Sequence, residues 1–265
     1  MSTQGTALIT GASSGIGATY ADRLAKRGYD LLLVARDQDR LEKLATQLRD
    51  TSGVKVEVLK ADLTDKADVT RVADRLRNDA SITLLLNNAG VAANSALADA
   101  DLNEADRLIQ LNIVALTHLA SAAASGFVTN GRGAILNVAS VVALLPERFN
   151  AIYTASKAYV LSLTQSLHAE VGEKGVQVQA ILPGATRTEI WERAGMDLNA
   201  FPAEMVMNVD DMVDAALAGF DQKELVTIPS LANAADWDAL VTARLALGPN
   251  LSLQHAAARY KTTSA

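Results

Sequence analysis

The chain contains no cysteine, which excludes disulfide scaffolds, cysteine-ligated zinc and thiol nucleophiles. Histidine is nearly as scarce. His118, His168 and His255 lie far apart and share no metal-ligand spacing, so no metal is expected. Basic residues are outnumbered, 24 Lys plus Arg against 30 Asp plus Glu, for a net charge of -6. That balance leaves no basic stripe to neutralise the phosphates of a nucleic acid. Long apolar runs are missing too. The longest candidate, Ala134 to Leu145, is broken by Asn137 and Ser140, short of the ~18 residues a membrane span needs. The opening Met-Ser-Thr-Gln-Gly has neither a charged n-region nor an apolar h-region. Asn250-Leu251-Ser252 fits the glycosylation pattern, but without a secretory signal it reads as chance. The expectation is a cytoplasmic protein that binds neither nucleic acid nor membrane.

What the sequence does hold is ample core material. Of the 265 residues, 49% are hydrophobic and 20% charged, enough to bury a full core without staples. Short apolar runs alternate with amphipathic stretches. The runs 6–10, 31–35, 54–59, 82–86, 133–138, 176–182 and 225–228 read as strands, mostly continuous rather than alternating, as parallel strands covered on both faces are. Helical patterns fill 15–27, 38–49, 66–78, 104–124, 153–171 and 210–220. In the second of these, Leu41, Leu44, Ala45 and Leu48 follow the 3.6-residue period. The expected fold is therefore α/β: one domain over residues 1–265, with a doubly wound, Rossmann-type parallel sheet of about seven strands and helices on both faces. Residues 189–209, long and rich in Trp, Phe and Met, read as a substrate lid. Residues 230–265 read as a tail carrying a helix over 233–247.

Thr10-Gly11-Ala12-Ser13-Ser14-Gly15-Ile16-Gly17 follows the first strand and opens the first helix. Glycines there let the backbone turn tightly and approach a pyrophosphate seated at the helix N-terminus. The same residues contain G-x-S-x-G, the nucleophile elbow of α/β-hydrolases. That reading leaves Thr10 and Gly17 unexplained.

Further along, Tyr153 and Lys157 stand four apart on a helical stretch and so share a face. A nearby ammonium favours the phenolate and moves the phenol toward physiological pH, where it can exchange a proton with a carbonyl or alcohol oxygen. Ser140 follows a strand thirteen residues before Tyr153, placed to donate to the same oxygen. Asn87-Asn88-Ala89-Gly90 closes the fourth strand, and Asn112 lies among apolar neighbours inside a helix.

Taken in this order and at these separations, Thr10–Gly17, Asn87–Gly90, Asn112, Ser140, Tyr153/Lys157 and Pro183-Gly184 resemble the short-chain dehydrogenase/reductase family in its short, single-domain form. The resemblance runs from Thr6 to Thr188. It implies that Tyr153 is the general acid in reduction and base in oxidation. It also implies that Lys157 lowers the phenol's pKa and bonds the nicotinamide ribose, that Ser140 polarises the substrate carbonyl, and that Asn112 holds a relay water. The cofactor would rest on Gly11, Ser13, Ser14, Gly15, Ile16 and Gly17, on Asp62 and Leu63 near adenine, and on Asn87, Ala89 and Gly90. Pro183, Gly184, Thr186 and Thr188 would fix the carboxamide end.

The second strand ends in Ala35-Arg36. In the family an acid at the position of Ala35 accepts bonds from the adenosine 2′-hydroxyl and repels a 2′-phosphate. Arg36 instead offers a planar fork to a phosphate, with Arg40 one turn on, so the cofactor is read as NADP(H). Asp37 follows immediately.

Within the family the chain looks most like bacterial ketoreductases and secondary-alcohol dehydrogenases, judged on 186–191 and 224–229. The reading is an NADP(H)-dependent oxidoreductase acting on a small-molecule ketone, aldehyde or alcohol. Apolar bulk in 189–209 points to a hydrophobic, bulky substrate, with Trp191 and Met196 joining Ser140 and Tyr153 around it. Reduction of a 3-oxoacyl thioester and hydroxysteroid dehydrogenation are alternatives on the same scaffold. A non-catalytic NADPH-sensing regulator is the alternative from another class. The resemblance also implies a homodimer or homotetramer formed through helices 104–124 and 153–171.

Overall fold

The computed structural model describes residues 4–260. Residues 1–3 and 261–265, the two ends of the expected domain, lie outside the described residues. Contacts divide the chain into two compact units, one up to Pro229 and one from Ser230 onward.

The first unit alternates strand and helix. It runs β1 (Thr6–Thr10), α1 (Gly15–Lys26), β2 (Asp30–Ala35), α2 (Gln38–Ser52), β3 (Val56–Lys60), α3 (Lys66–Asn78) and β4 (Ile82–Asn87). Then come α4 (Leu102–Ile109), a π-helical stretch (Gln110–Ala115), α5 (Leu116–Thr129), β5 (Gly133–Val138), α6 (Ala151–Val171) and β6 (Val176–Ile181). The short α7 (Ile190–Arg193), α8 (Val209–Asp221) and β7 (Val226–Thr227) complete it. The seven strands lie in the order β3-β2-β1-β4-β5-β6-β7 and all pair in parallel. This is the Rossmann-type sheet the alternation predicts.

Strand residues take sides by the period of two. Ala7, Ile9, Leu31, Leu33, Leu84 and Leu86 point to one face, where Tyr20, Leu24, Leu41, Leu48 and Met212 of α1, α2 and α8 cover them. Leu8, Leu32, Val34, Leu85 and Ile135 point to the other, under Val72, Leu76, Leu119, Phe127 and Leu167 of α3, α5 and α6. Both faces are apolar, so the strands read as continuous runs. Strand order reverses between β1 and β4, and the crevice at that switch is where such sheets bind ligands.

The one long helix expected over 104–124 is in fact three segments. Leu102–Thr129 has the length and hydropathy of a membrane span, yet half of its most apolar window is buried inside the molecule. Its middle turns widen into the π stretch that carries Asn112. β7 is two residues long because it is an edge strand paired with β6 only at Val226 and Thr227. β3 begins two residues later than the apolar run.

In the second unit α9 (Ala234–Leu245) starts where Asn233 accepts a bond from the Ala235 amide at 3.1 Å. None of its residues is buried.

Candidate active site

The turn after β1 is built for close approach of a ligand backbone. Gly11 has φ +65°, and a Cβ there would lie 2.9 Å from the Ala89 Cα. A Cβ on Gly17 would sit 2.4 Å from the Gly11 carbonyl oxygen. Neither place admits a side chain. Thr10 Oγ1 donates to the Leu86 carbonyl at 3.2 Å and accepts the amides of Asn88 and Ala89, both at 3.0 Å. Asn88 Nδ2 in turn donates to the carbonyls of Thr10 and Gly11. Thr10 and Gly17, the two residues the hydrolase elbow leaves unused, are therefore the ones that lock this loop to the end of β4. At the N-terminus of α1, Ser14 makes no side-chain cap and the first turn holds no acid, so its amides stay available to an anion.

A cleft of about 720 Å³ opens along this turn. Gly11, Ser13, Ser14, Gly15 and Ile16 line one wall, with Asp62, Leu63, Ala89, Gly90 and Thr188 elsewhere along it. Gly17 packs beneath the loop rather than on the cleft. Asn87 is buried, its Nδ2 donating to Asn137 Oδ1 at 2.9 Å. Asp62 closes a local turn, accepting from the Thr64 amide at 2.9 Å and hydroxyl at 2.7 Å.

Arg36, Asp37 and Arg40 form the cleft's far end. Arg36 is exposed and has no partner among the described residues. Asp37 is committed to the helix: its carboxylate caps α2 by accepting the Arg40 amide at 3.0 Å. Arg40 is occupied as well, its Nη1 donating to both oxygens of Glu189 at 3.0 and 2.8 Å. Glu189 opens the 189–209 segment, and this pair holds its carboxyl below the usual range. Arg36 alone is left free for a phosphate.

The catalytic candidates converge on α6. The Ser140 hydroxyl is near enough to the Tyr153 phenol to lower its pKa, and the Lys157 ammonium lies 5.7 Å from the centre of its ring. Ser140 Oγ donates to the Pro183 carbonyl and accepts the Val142 amide, each at 3.3 Å. Lys157 Nζ donates to the Val138 carbonyl at 2.9 Å. A Cβ on Gly90 would lie 3.2 Å from Asn112 Oδ1 and 3.7 Å from Lys157 Nζ, which places the cleft's wall against both.

Burial raises the Tyr153 phenol to about 12, while the Ser140 hydroxyl pulls the other way. Lys157 is itself pushed to about 8 by burial, and its Nζ donates to Val138. Desolvation is the largest cause at both groups.

A consequence for stability follows. Moving Lys157 from 10.5 to about 8 costs the folded state about 3 kcal/mol at neutral pH. Lys157→Met removes that cost and forfeits one hydrogen bond of about 1 kcal/mol. Inactive protein melting about 3–8 °C above wild type is expected at pH 6.5. Between pH 8 and 10.5 the unfolded lysine keeps a proton that the folded one has lost. Wild-type stability therefore rises with pH there, and the variant's advantage fades. A variant melting below wild type at pH 6.5 would contradict the assignment.

After β6 the chain folds back on itself. Thr186 bridges to Met207, and its carbonyl accepts from the Trp191 indole at 2.7 Å and from Thr188 Oγ1 at 3.5 Å. Thr186 Oγ1 donates to the Gly184 carbonyl at 3.1 Å. Trp191 stacks edge-on to Phe201, ring centres 5.1 Å apart. Trp191 and Met196 line a cavity of about 490 Å³ of their own, which shares only Thr188 and Glu189 with the long cleft.

Asn137, Asn150 and Ser156 escaped the sequence reading, and Asn88 stood in a motif without a role of its own. Asn137 donates to Thr164 Oγ1 at 3.0 Å and so carries Asn87's bond onto α6. Asn150 caps α6. The helix was expected from Tyr153, and the N-cap preference for Asn was the signal that moves its start back to Ala151.

The short chain dehydrogenase family model matches residues 5–199. A short-chain dehydrogenase from Sphingobium yanoikuyae, solved in complex with NADPH, is 56% identical, with 97% of this chain and 100% of that one covered at a TM-score of 0.94. The bulky-bulky ketone specific alcohol dehydrogenase from Comamonas testosteroni is 48% identical, covering 97% and 99%, at a TM-score of 0.90. Among curated proteins, a very-long-chain 3-oxoacyl-CoA reductase from Anas platyrhynchos is 31% identical over 69% of this chain and 60% of its own length.

Proposed function

The chain belongs to the short-chain dehydrogenase family of oxidoreductases, and from that premise we propose that it interconverts bulky ketones and secondary alcohols with NADP(H), Tyr153 being the acid/base. The observation that carries the reading is the joining of two features. The cleft along the glycine turn reaches Gly90, which abuts Asn112 Oδ1 and Lys157 Nζ, and that ammonium lies 5.7 Å from the ring of Tyr153 beside Ser140.

The residues present fit a dinucleotide phosphate. The uncapped start of α1 suits a pyrophosphate, and Gly11, Ser13, Ser14 and Gly15 line the cleft there. The unpaired Arg36 suits a 2′-phosphate. Thr188 lines the cleft beside Gly15. When bound, the reduced nicotinamide supplies the hydride. The chain's own groups manage the proton. With its pKa near 12, Tyr153 holds a proton on its phenolic oxygen at neutral pH and delivers it to a substrate oxygen as negative charge develops there. Ser140, beside the same phenol, donates to that oxygen and keeps it in place. Lys157, near 8, can return a proton to the site. In oxidation the order reverses.

The bulky class is supported by the relative from C. testosteroni. The thioester alternative has support in the more distant reductase from A. platyrhynchos. The test is NADPH consumption against small aliphatic, diaryl and branched ketones and a 3-oxoacyl thioester. Diaryl or branched ketones are expected to be turned over at least tenfold better than acetone-sized ones, and better than the thioester. Turnover of the thioester alone would overturn the substrate class.

A further inference from the structure

Tyr153 is gripped at both ends of its peptide by side chains. Its amide donates to Asn150 Oδ1 at 3.0 Å, and its carbonyl accepts from Ser156 Oγ at 2.7 Å. Each grip continues into the same loop. Asn150 Nδ2 donates to the Ala93 carbonyl. Ser156 Oγ accepts from Asn112 Nδ2 at 3.2 Å, and Asn112 pairs with both polar groups of the Val91 backbone, at 3.0 and 2.9 Å. The result is a closed circuit from Val91 through Asn112, Ser156, Tyr153 and Asn150 to Ala93. Val91 and Ala92 line the long cleft.

We propose that Asn150 is a positioning residue for the reaction: it sets the first turn of α6, and so the Tyr153 phenol, in register with the loop 91–93 that walls the coenzyme cleft. This rests on the reading of Tyr153 as acid/base. The job needs one acceptor and one donor on a single short side chain, which an amide supplies. Aspartate keeps the acceptor and loses the donor. Serine keeps a cap and is too short for the loop. Alanine loses both. The two functions of Asn150 are therefore separable.

The experiment takes Asn150→Ala, Asn150→Asp and Asn150→Ser. It measures kcat and the KM for NADPH with the best ketone, together with amide exchange in 91–96 and 150–156 by mass spectrometry. For Asn150→Ala both segments are expected to exchange faster, with kcat down about 10- to 100-fold, the scale of a misplaced catalytic group. In the Asp and Ser variants 150–156 stays protected and kcat falls several-fold, less than in Ala. Only 91–96 exchanges faster there, and the KM for NADPH rises several-fold. An Ala variant with wild-type exchange and kcat would overturn the proposal, as would an Asp variant whose kcat falls as far as that of Ala. If the Ala variant does not fold, the split between kcat and KM in the Asp and Ser variants decides alone. If wild type reduces no carbonyl, the function reading fails, while the exchange data still decide this one.

Discussion

Tyr153→Phe is expected to lower carbonyl reduction by about 10²- to 10⁴-fold, the usual worth of a positioned general acid. The effect should be confined to chemistry. The phenol lies beside the Ser140 hydroxyl, and the residue is half-buried. Phenylalanine refills that space, and nothing in the coenzyme cradle around Gly11 to Gly17 touches the lost oxygen. NADPH affinity is accordingly expected within about threefold of wild type by fluorescence titration. The melting temperature should be unchanged or slightly higher, because a buried phenol gives up one polar atom. A variant retaining more than a tenth of the wild-type rate would remove Tyr153 from the proton transfer.

The second large effect belongs to the other end of the cleft. Arg36→Ala is expected to reduce the preference for NADPH over NADH by about 10- to 100-fold, the value of one or two charge-assisted bonds of ~1.5–3 kcal/mol. The loss should fall on NADPH binding and leave NADH nearly untouched. Arg36 carries this weight because its neighbours are spent: Asp37 on the cap of α2, and Arg40 on Glu189. Adding Ala35→Asp, which puts an acid at the end of β2, should turn the preference toward NADH. Equal losses for both coenzymes would show that Arg36 shapes the site rather than reads the phosphate.

The parts of this molecule legible in its sequence are those governed by local rules. The strand–helix alternation, the glycine turn after β1 and the Tyr153/Lys157 pair on α6 each follow from short-range spacing. The structure keeps all three where the spacing puts them. What escaped depends on partners far away in the chain. Asn112 was legible as an odd polar residue in an apolar helix, but not the π turn that lets its amide reach Val91 and Ser156. Arg40 was placed on the phosphate, and only the folded chain brings it to Glu189, 149 residues on. Spacing reports that an ammonium is near Tyr153; the desolvation that leads at both groups is set by the folded chain. Trp191 and Met196 were read as joining Ser140 and Tyr153 around the substrate, and the doubling back of 186–207 gives them a separate cavity instead.

The most direct measurement is label transfer from NADPH carrying deuterium at C4 of the nicotinamide to a diaryl or branched ketone, followed by mass spectrometry of the product. Deuterium on the carbinol carbon, formed at a rate that collapses in Tyr153→Phe, is the expected result. An alcohol without deuterium, or no alcohol from any bulky ketone while NADPH binds tightly, would contradict the account.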